Sequence, residues 1–112
     1  GFVPMPLYEG RYTDRLEIIS DIPQGKALYW FETVDIHRAQ EVLGDTVCFR
    51  GNVPISLLYA GSVEQVEAYV KELIDVFGRD GGLIVDCAMW FDEAKHQNVK
   101  AMVDVAKEYG VR

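Results

Sequence analysis

The chain lacks any apolar run near the roughly 20 residues that cross a bilayer, so no membrane span is expected. Cysteine is scarce: only Cys48 and Cys87 occur in 112 residues, too few for a disulfide scaffold. Positive charge is scarce too. Eleven Lys and Arg face eighteen Asp and Glu, and the net charge of −7 makes a nucleic-acid backbone a poor partner. The opening Gly1-Phe2-Val3-Pro4 has no basic stretch followed by a long apolar one, so no secretory leader is read there. A reduced cytoplasmic protein is therefore the expectation. GxGxxG, P-loop, HExxH, CxxC and GxSxG patterns are all missing, and no motif supports nucleotide binding. The length suits one domain but falls under half of the about 250 residues of a complete (β/α)8 barrel.

What is present is globular, since 49% hydrophobic and 26% charged residues exclude a disordered chain. The hydrophobic period switches repeatedly between strand-like and helix-like. Phe2 to Tyr8 reads as a strand, and Pro4 and Pro6 confine it to a sheet edge or to pairing on one side. Thr13 to Ile22 predicts a short helix with Leu16, Ile19 and Ile18 inward, stopped by Pro23 and Gly25. Lys26 to Glu32 is a second apolar strand, rich in aromatics. Asp35 caps a helix through Leu43, with Gly44 past its end. Thr46 to Arg50 is a third strand. Ser62 and Gln65 form a capping box for a helix whose Val63, Val66, Val70, Leu73, Ile74 and Phe77 make one stripe before Gly78. Gly82 to Cys87 is a fourth strand, and Asn98 is placed as the cap of a last helix ending at Gly110.

Four βα units of this kind imply an α/β fold with a parallel sheet and right-handed crossovers. In such sheets, open or closed, ligands gather at the carboxyl ends of the strands. Those ends carry Tyr8-Glu9, Glu32, Arg50-Gly51-Asn52 and Asp86-Cys87. Carboxylates, an amide and a thiol on one rim suit acid–base work or a metal. Taken singly, Glu9, Glu32 and Asn52 also fit solvated turn residues, and Cys48, inside a strand, fits a small core residue. Cys87, beside Asp86 at a strand end, reads equally as a ligand-facing thiol or a structural one. His37 and His96 read as solvated. Trp30, Phe31, Trp90 and Phe91 suit packing or an apolar pocket wall.

From Asp35 onward the residues resemble the C-terminal part of the uroporphyrinogen decarboxylase superfamily. The likeness rests on Leu43-Gly44-Asp45, then Gly51-Asn52-Val53-Pro54, then Gly61-Ser62 with Glu64 and Val66. It continues with Gly81-Gly82-Leu83-Ile84 before Cys87, and with Asn98-Val99-Lys100-Ala101-Met102-Val103. Residues before Asp35 look like two preceding βα units of the same family. The resemblance implies that the chain is half of a (β/α)8 TIM barrel, its last four βα units.

The family includes tetrapyrrole decarboxylases that use no cofactor and zinc-using methyltransferases that work with a corrinoid. Cys87 resembles the downstream cysteine of the methyltransferases' zinc motif, and Gly10 aligns Glu9 with an earlier zinc cysteine and Leu7 with the histidine. Leucine cannot bind zinc. The resemblance thus points to a metal set of Glu9 and Cys87, with Glu32 as an inferred third ligand or catalytic group and Asn52 orienting a small-molecule substrate. On this reading the parent enzyme performs zinc-assisted methyl transfer with a corrinoid carried on a partner protein. Decarboxylation of uroporphyrinogen or a related carboxylated substrate is the alternative, and a half-barrel that folds without catalysing is another. Open sheet edges and an uncovered face also predict association, with a homodimer closing an eight-stranded ring or the missing barrel half doing so. An open flavodoxin-like sheet is the competing arrangement.

Overall fold

A computed structural model describes residues 3–79, 81–87 and 94–111. Trp90 and Phe91, candidates for a pocket wall, lie outside the described residues. Four strands, β1 (Leu7–Arg11), β2 (Leu28–Thr33), β3 (Cys48–Asn52) and β4 (Leu83–Asp86), form one sheet. They lie in the order β1-β2-β3-β4, and every neighbouring pair is parallel. This order never reverses, so the sheet has no switch point of the flavodoxin kind. It is the arrangement of half a (β/α)8 barrel.

The edge expected of the first strand is observed, because among the described residues β1 pairs only with β2. Its prolines lack donors but still accept: Leu28 N–H donates to the Pro4 carbonyl at 3.0 Å and Trp30 N–H to that of Pro6 at 3.1 Å. The strand itself begins later than the apolar run and continues to Arg11.

Two helices start as their caps dictate. In α1 (Ile36–Leu43), the Asp35 carboxylate accepts from the His37 and Arg38 amides. In α3 (Val63–Phe77), the Ser62–Gln65 capping box is complete and Val66, Val70, Leu73, Ile74 and Phe77 are buried. A further helix, α2 (Ile55–Ala60), follows Pro54 and is too short to show a helical period. The last helix, α4 (His96–Tyr109), starts two residues before its expected cap. Lys95 takes the cap position, and Asn98 is instead fully buried inside the helix. Its amide nitrogen donates to the Leu58 and Gly61 carbonyls, both at 2.9 Å, and so satisfies the end of α2.

The helix expected over Thr13–Ile22 is absent. A single 3-10 turn spans Thr13–Arg15, and the bonds that follow, Ile18 N–H to the Arg15 carbonyl and Ile19 N–H to that of Leu16, join residues three apart. Leu16 is buried as expected, but Ile18 points to solvent at 79% exposure.

The core lies between the sheet and its helices. Tyr29 and Phe31 of β2 and Phe49 of β3 are buried there. Phe49 stacks on Phe77 of α3 with ring centroids 3.9 Å apart. The alternate residues, in the row Trp30, Arg50 and Ile84, point to the other face. Cys48 shares that face and is exposed, which corrects its reading as a core thiol: it opens β3, where no helix among the described residues covers it. No helix among the described residues is long and apolar enough to cross a membrane.

Candidate functional site

The carboxyl ends of β2 and β3 open into a cavity of about 310 Å³. Its wall combines Glu32, Thr33 and Val34 from β2 and its exit with Asn52, Val53 and Pro54 from the exit of β3. Ile55 and Ser56 of α2 and Tyr69 of α3 complete it. Two residues expected at this rim, Glu32 and Asn52, are thus brought together on one cavity.

Their roles differ. Asn52 is 4% exposed and its amide is committed on both sides. Its nitrogen donates to the Val34 carbonyl at 3.3 Å, and its oxygen accepts from the Tyr69 hydroxyl at 2.7 Å. Asn52 therefore fixes the exit of β2 and the flank of α3 against β3, a positioning task. Glu32 is partly exposed, and its Oε2 accepts from the Gly10 N–H at 2.5 Å. That single bond leaves acceptor capacity on the carboxylate for a ligand in the cavity. Gly10 adopts φ 81°, the left-handed region, which glycine enters at no steric cost.

Gly51 makes the close approach of β3 to β2 possible. It has φ 117°, and a Cβ there would stand 2.6 Å from the Phe31 carbonyl oxygen. Any larger residue would force the strands apart just below the cavity.

Tyr69 is the site residue that sequence reasoning misses. It falls three positions after Val66 and four before Leu73, on the flank of the apolar stripe, and that register is the signal that could have found it. Burial pushes its hydroxyl pKa up to about 12, with the nearby carboxylates of Glu72 and Asp35 adding to the effect. The hydroxyl is consequently a proton-bearing donor at neutral pH.

The metal reading meets a different geometry. Glu9 is an exposed residue in the middle of β1, since that strand continues to Arg11. Cys87 follows β4 and is only 3% exposed. The two stand at opposite edges of the sheet with β2 and β3 between them. Glu32 is drawn to the Gly10 amide instead. Among the described residues no group of three or more His, Cys, Asp and Glu side chains comes together to hold a metal ion. Glu9, Glu32 and Cys87 thus do not fit a shared zinc site here. His37 and His96 are exposed, and His37 Nε2 lies 2.8 Å from Glu72 Oε1.

A family model described as Uroporphyrinogen decarboxylase (URO-D) matches residues 4–109. Three relatives that carry the name uroporphyrinogen decarboxylase are similar to this chain. The one from Ruthia magnifica subsp. Calyptogena magnifica is 32% identical over 89 residues, 79% of this chain and 25% of that protein. The one from Pseudoalteromonas atlantica is 30% identical over 89 residues, 79% of this chain and 24% of its own length. The one from Actinobacillus pleuropneumoniae serotype 5b is 33% identical over 78 residues, 69% of this chain and 22% of its own length. The chain thus spans about a quarter of the length of the curated relatives it matches.

Proposed function

The chain belongs to the uroporphyrinogen decarboxylase family, and from that premise we propose that it supplies part of the site of an enzyme that decarboxylates a carboxylated tetrapyrrole. The observation that carries this reading is the cavity at the carboxyl ends of β2 and β3, with the Glu32 carboxylate on its wall, in a chain whose relatives carry that name. Loss of CO2 leaves an electron pair on carbon, and a proton must be delivered there while the substrate is held in place. Glu32 is the carboxylate of this cavity, and it carries the proton to or from the ligand, while the Tyr69 hydroxyl is engaged by Asn52. Asn52 and Tyr69 hold the exits of β2 and β3 so that Glu32 keeps its place. The remaining binding and catalytic groups come from barrel strands outside these 112 residues.

The test is CO2 release from uroporphyrinogen by the intact protein and by its Glu32→Gln variant. The expected result is release by the parent and a loss of about 10²-fold or more in the variant, the usual worth of a positioned acid–base group. Equal rates would remove Glu32 from the chemistry. A second reading, methyl transfer with a corrinoid partner, draws on Cys87 at the end of β4. Methyl transfer to added cobalamin with no CO2 release would install it in place of the first.

A further inference from the structure

The helix-free face of the sheet carries a group that the cavity does not use. Arg50, in the middle of β3, lies over the ring of Trp30 with its guanidinium carbon 3.6 Å from the ring centroid. Its Nε and Nη2 both donate to Asp86 Oδ2, at 2.8 and 2.7 Å. Asp86 is itself fixed, because its Oδ1 accepts from the Cys87 N–H at 2.8 Å. One edge of the guanidinium is therefore occupied and its plane is set by stacking.

The opposite edge, formed by Nη1 and the second hydrogen of Nη2, is the other two-pronged face that matches a carboxylate. Among the described residues its hydrogen-bond partner is Met5 Sδ, 3.4 Å from Nη1, which is a weak acceptor. A second donor lies alongside. The Trp30 indole Nε1 is buried and has no acceptor among the described residues. The ring carbon bonded to it, Cδ1, would stand 3.6 Å from a Cβ on Gly51, so this side of the ring lies beside the residue that follows Arg50. Nε1 is covered, so a ligand oxygen meets it only when the groups over it shift aside, and the bond then made recovers the cost of a buried donor without an acceptor.

We propose that Arg50 and Trp30 form a carboxylate-binding subsite on the helix-free face of the sheet, oriented by Asp86. In a closed barrel this face lines the lumen below the rim. The subsite would take a carboxylate side chain of the substrate away from the one that reacts. This deepens the decarboxylase reading and rests on it for the identity of the substrate, whereas carboxylate capture needs no turnover. Asp86 offsets much of the arginine's charge, so recognition depends on the matched geometry of the donors and is weak in a single chain.

The Trp30 indole N–H resonance reports on the site directly. In a Trp90→Phe background Trp30 is the only indole. Titration with tricarballylate is expected to move its resonance saturably, and titration with the uncharged tricarballylamide to leave it in place. Binding is expected to weaken about tenfold or more in Arg50→Gln, the scale of a lost charge-assisted bond. It should weaken similarly in Arg50→Lys, which keeps the charge and loses the two-pronged edge, and which serves if the first variant does not fold. An unmoved resonance, an equal response to the amide, or undiminished binding in Arg50→Lys would overturn the subsite. Carboxylate binding without CO2 release from the intact protein would instead overturn only the decarboxylase reading.

Discussion

The two faces of the sheet do opposite work. Toward the helices, Tyr29, Phe31 and Phe49 are nearly inaccessible and pack in an aromatic chain that ends on Phe77. Away from the helices, the neighbouring positions are Trp30, Arg50, Asp86 and Ile84, where a stacked ion pair sits beside half-exposed apolar residues. Adjacent residues of the same strands thus belong to different economies: one set holds the fold, the other is left available to a ligand or to further strands. A residue's position in a strand therefore predicts what its loss will damage.

The largest effect belongs on the helix side. Phe31 is 1% exposed and touches Tyr8, Tyr12, Tyr29 and Phe49 through its ring. Phe31→Ala should cost about 3–5 kcal/mol, the usual range for emptying a buried aromatic site. That is enough to unfold a marginal domain, and urea denaturation followed by circular dichroism measures it. A loss near 1 kcal/mol would mean that the helix-side core is looser than its burial implies.

A smaller effect is expected at the rim, where α3 meets the candidate site. The Tyr69 hydroxyl keeps its proton up to about pH 12 in the folded chain, against about 10 when unfolded. Between those values the unfolded state binds fewer protons, so stability falls as pH rises. The contribution is whole below pH 10 and gone above about 12. The urea midpoint should therefore drop across that window, and drop less in Tyr69→Phe. Equal slopes in the two proteins would show that the hydroxyl is as solvated as in the unfolded chain.

Much of this division is legible in the sequence, and its limits have physical causes. Continuous apolar strands between capped helices reveal a parallel sheet, the pattern of strands that a closed barrel covers on both faces. Asp35 and Ser62 act as the caps their side chains predict. Glu32 and Asn52 follow from the rule that ligands gather at strand ends, and they do share a cavity. Four features escape. The turn at Thr13–Arg15 has the residues of a helix but not its four-residue bonding, and α2 is too short for periodicity to register. Asn98 has the residue type of a cap, but its amide serves the carbonyls of α2. The pairing of Arg50 with Trp30 and Asp86 depends on register between strands, which no local pattern carries. Register likewise decides where Glu9 and Cys87 stand: β1 runs past Glu9, and the two positions lie at opposite edges of the four-stranded sheet.

The smallest effect tests whether the second face is open in solution. Ile84 shares a row with Arg50 and is 49% exposed, and Met5, at the far side of the guanidinium, is 44% exposed. Replacing Ile84 with serine removes apolar surface that is already half in water, so the expected loss is below about 0.5 kcal/mol. It should also be independent of protein concentration, since an isolated chain gains nothing from its neighbours. The pairing of two copies into an eight-stranded ring makes the contrary demand. It would bury Ile84 against the partner's strands, and the same substitution would then cost more as the protein is concentrated. Denaturation of the parent and Ile84→Ser at two concentrations, with light scattering on the same samples, separates the cases. A flat, small loss with a monomer's scattering keeps the contrast between the faces intact. A loss that grows with concentration, together with the mass of a dimer, would turn the open face into a second core and leave the Arg50 pair enclosed within it.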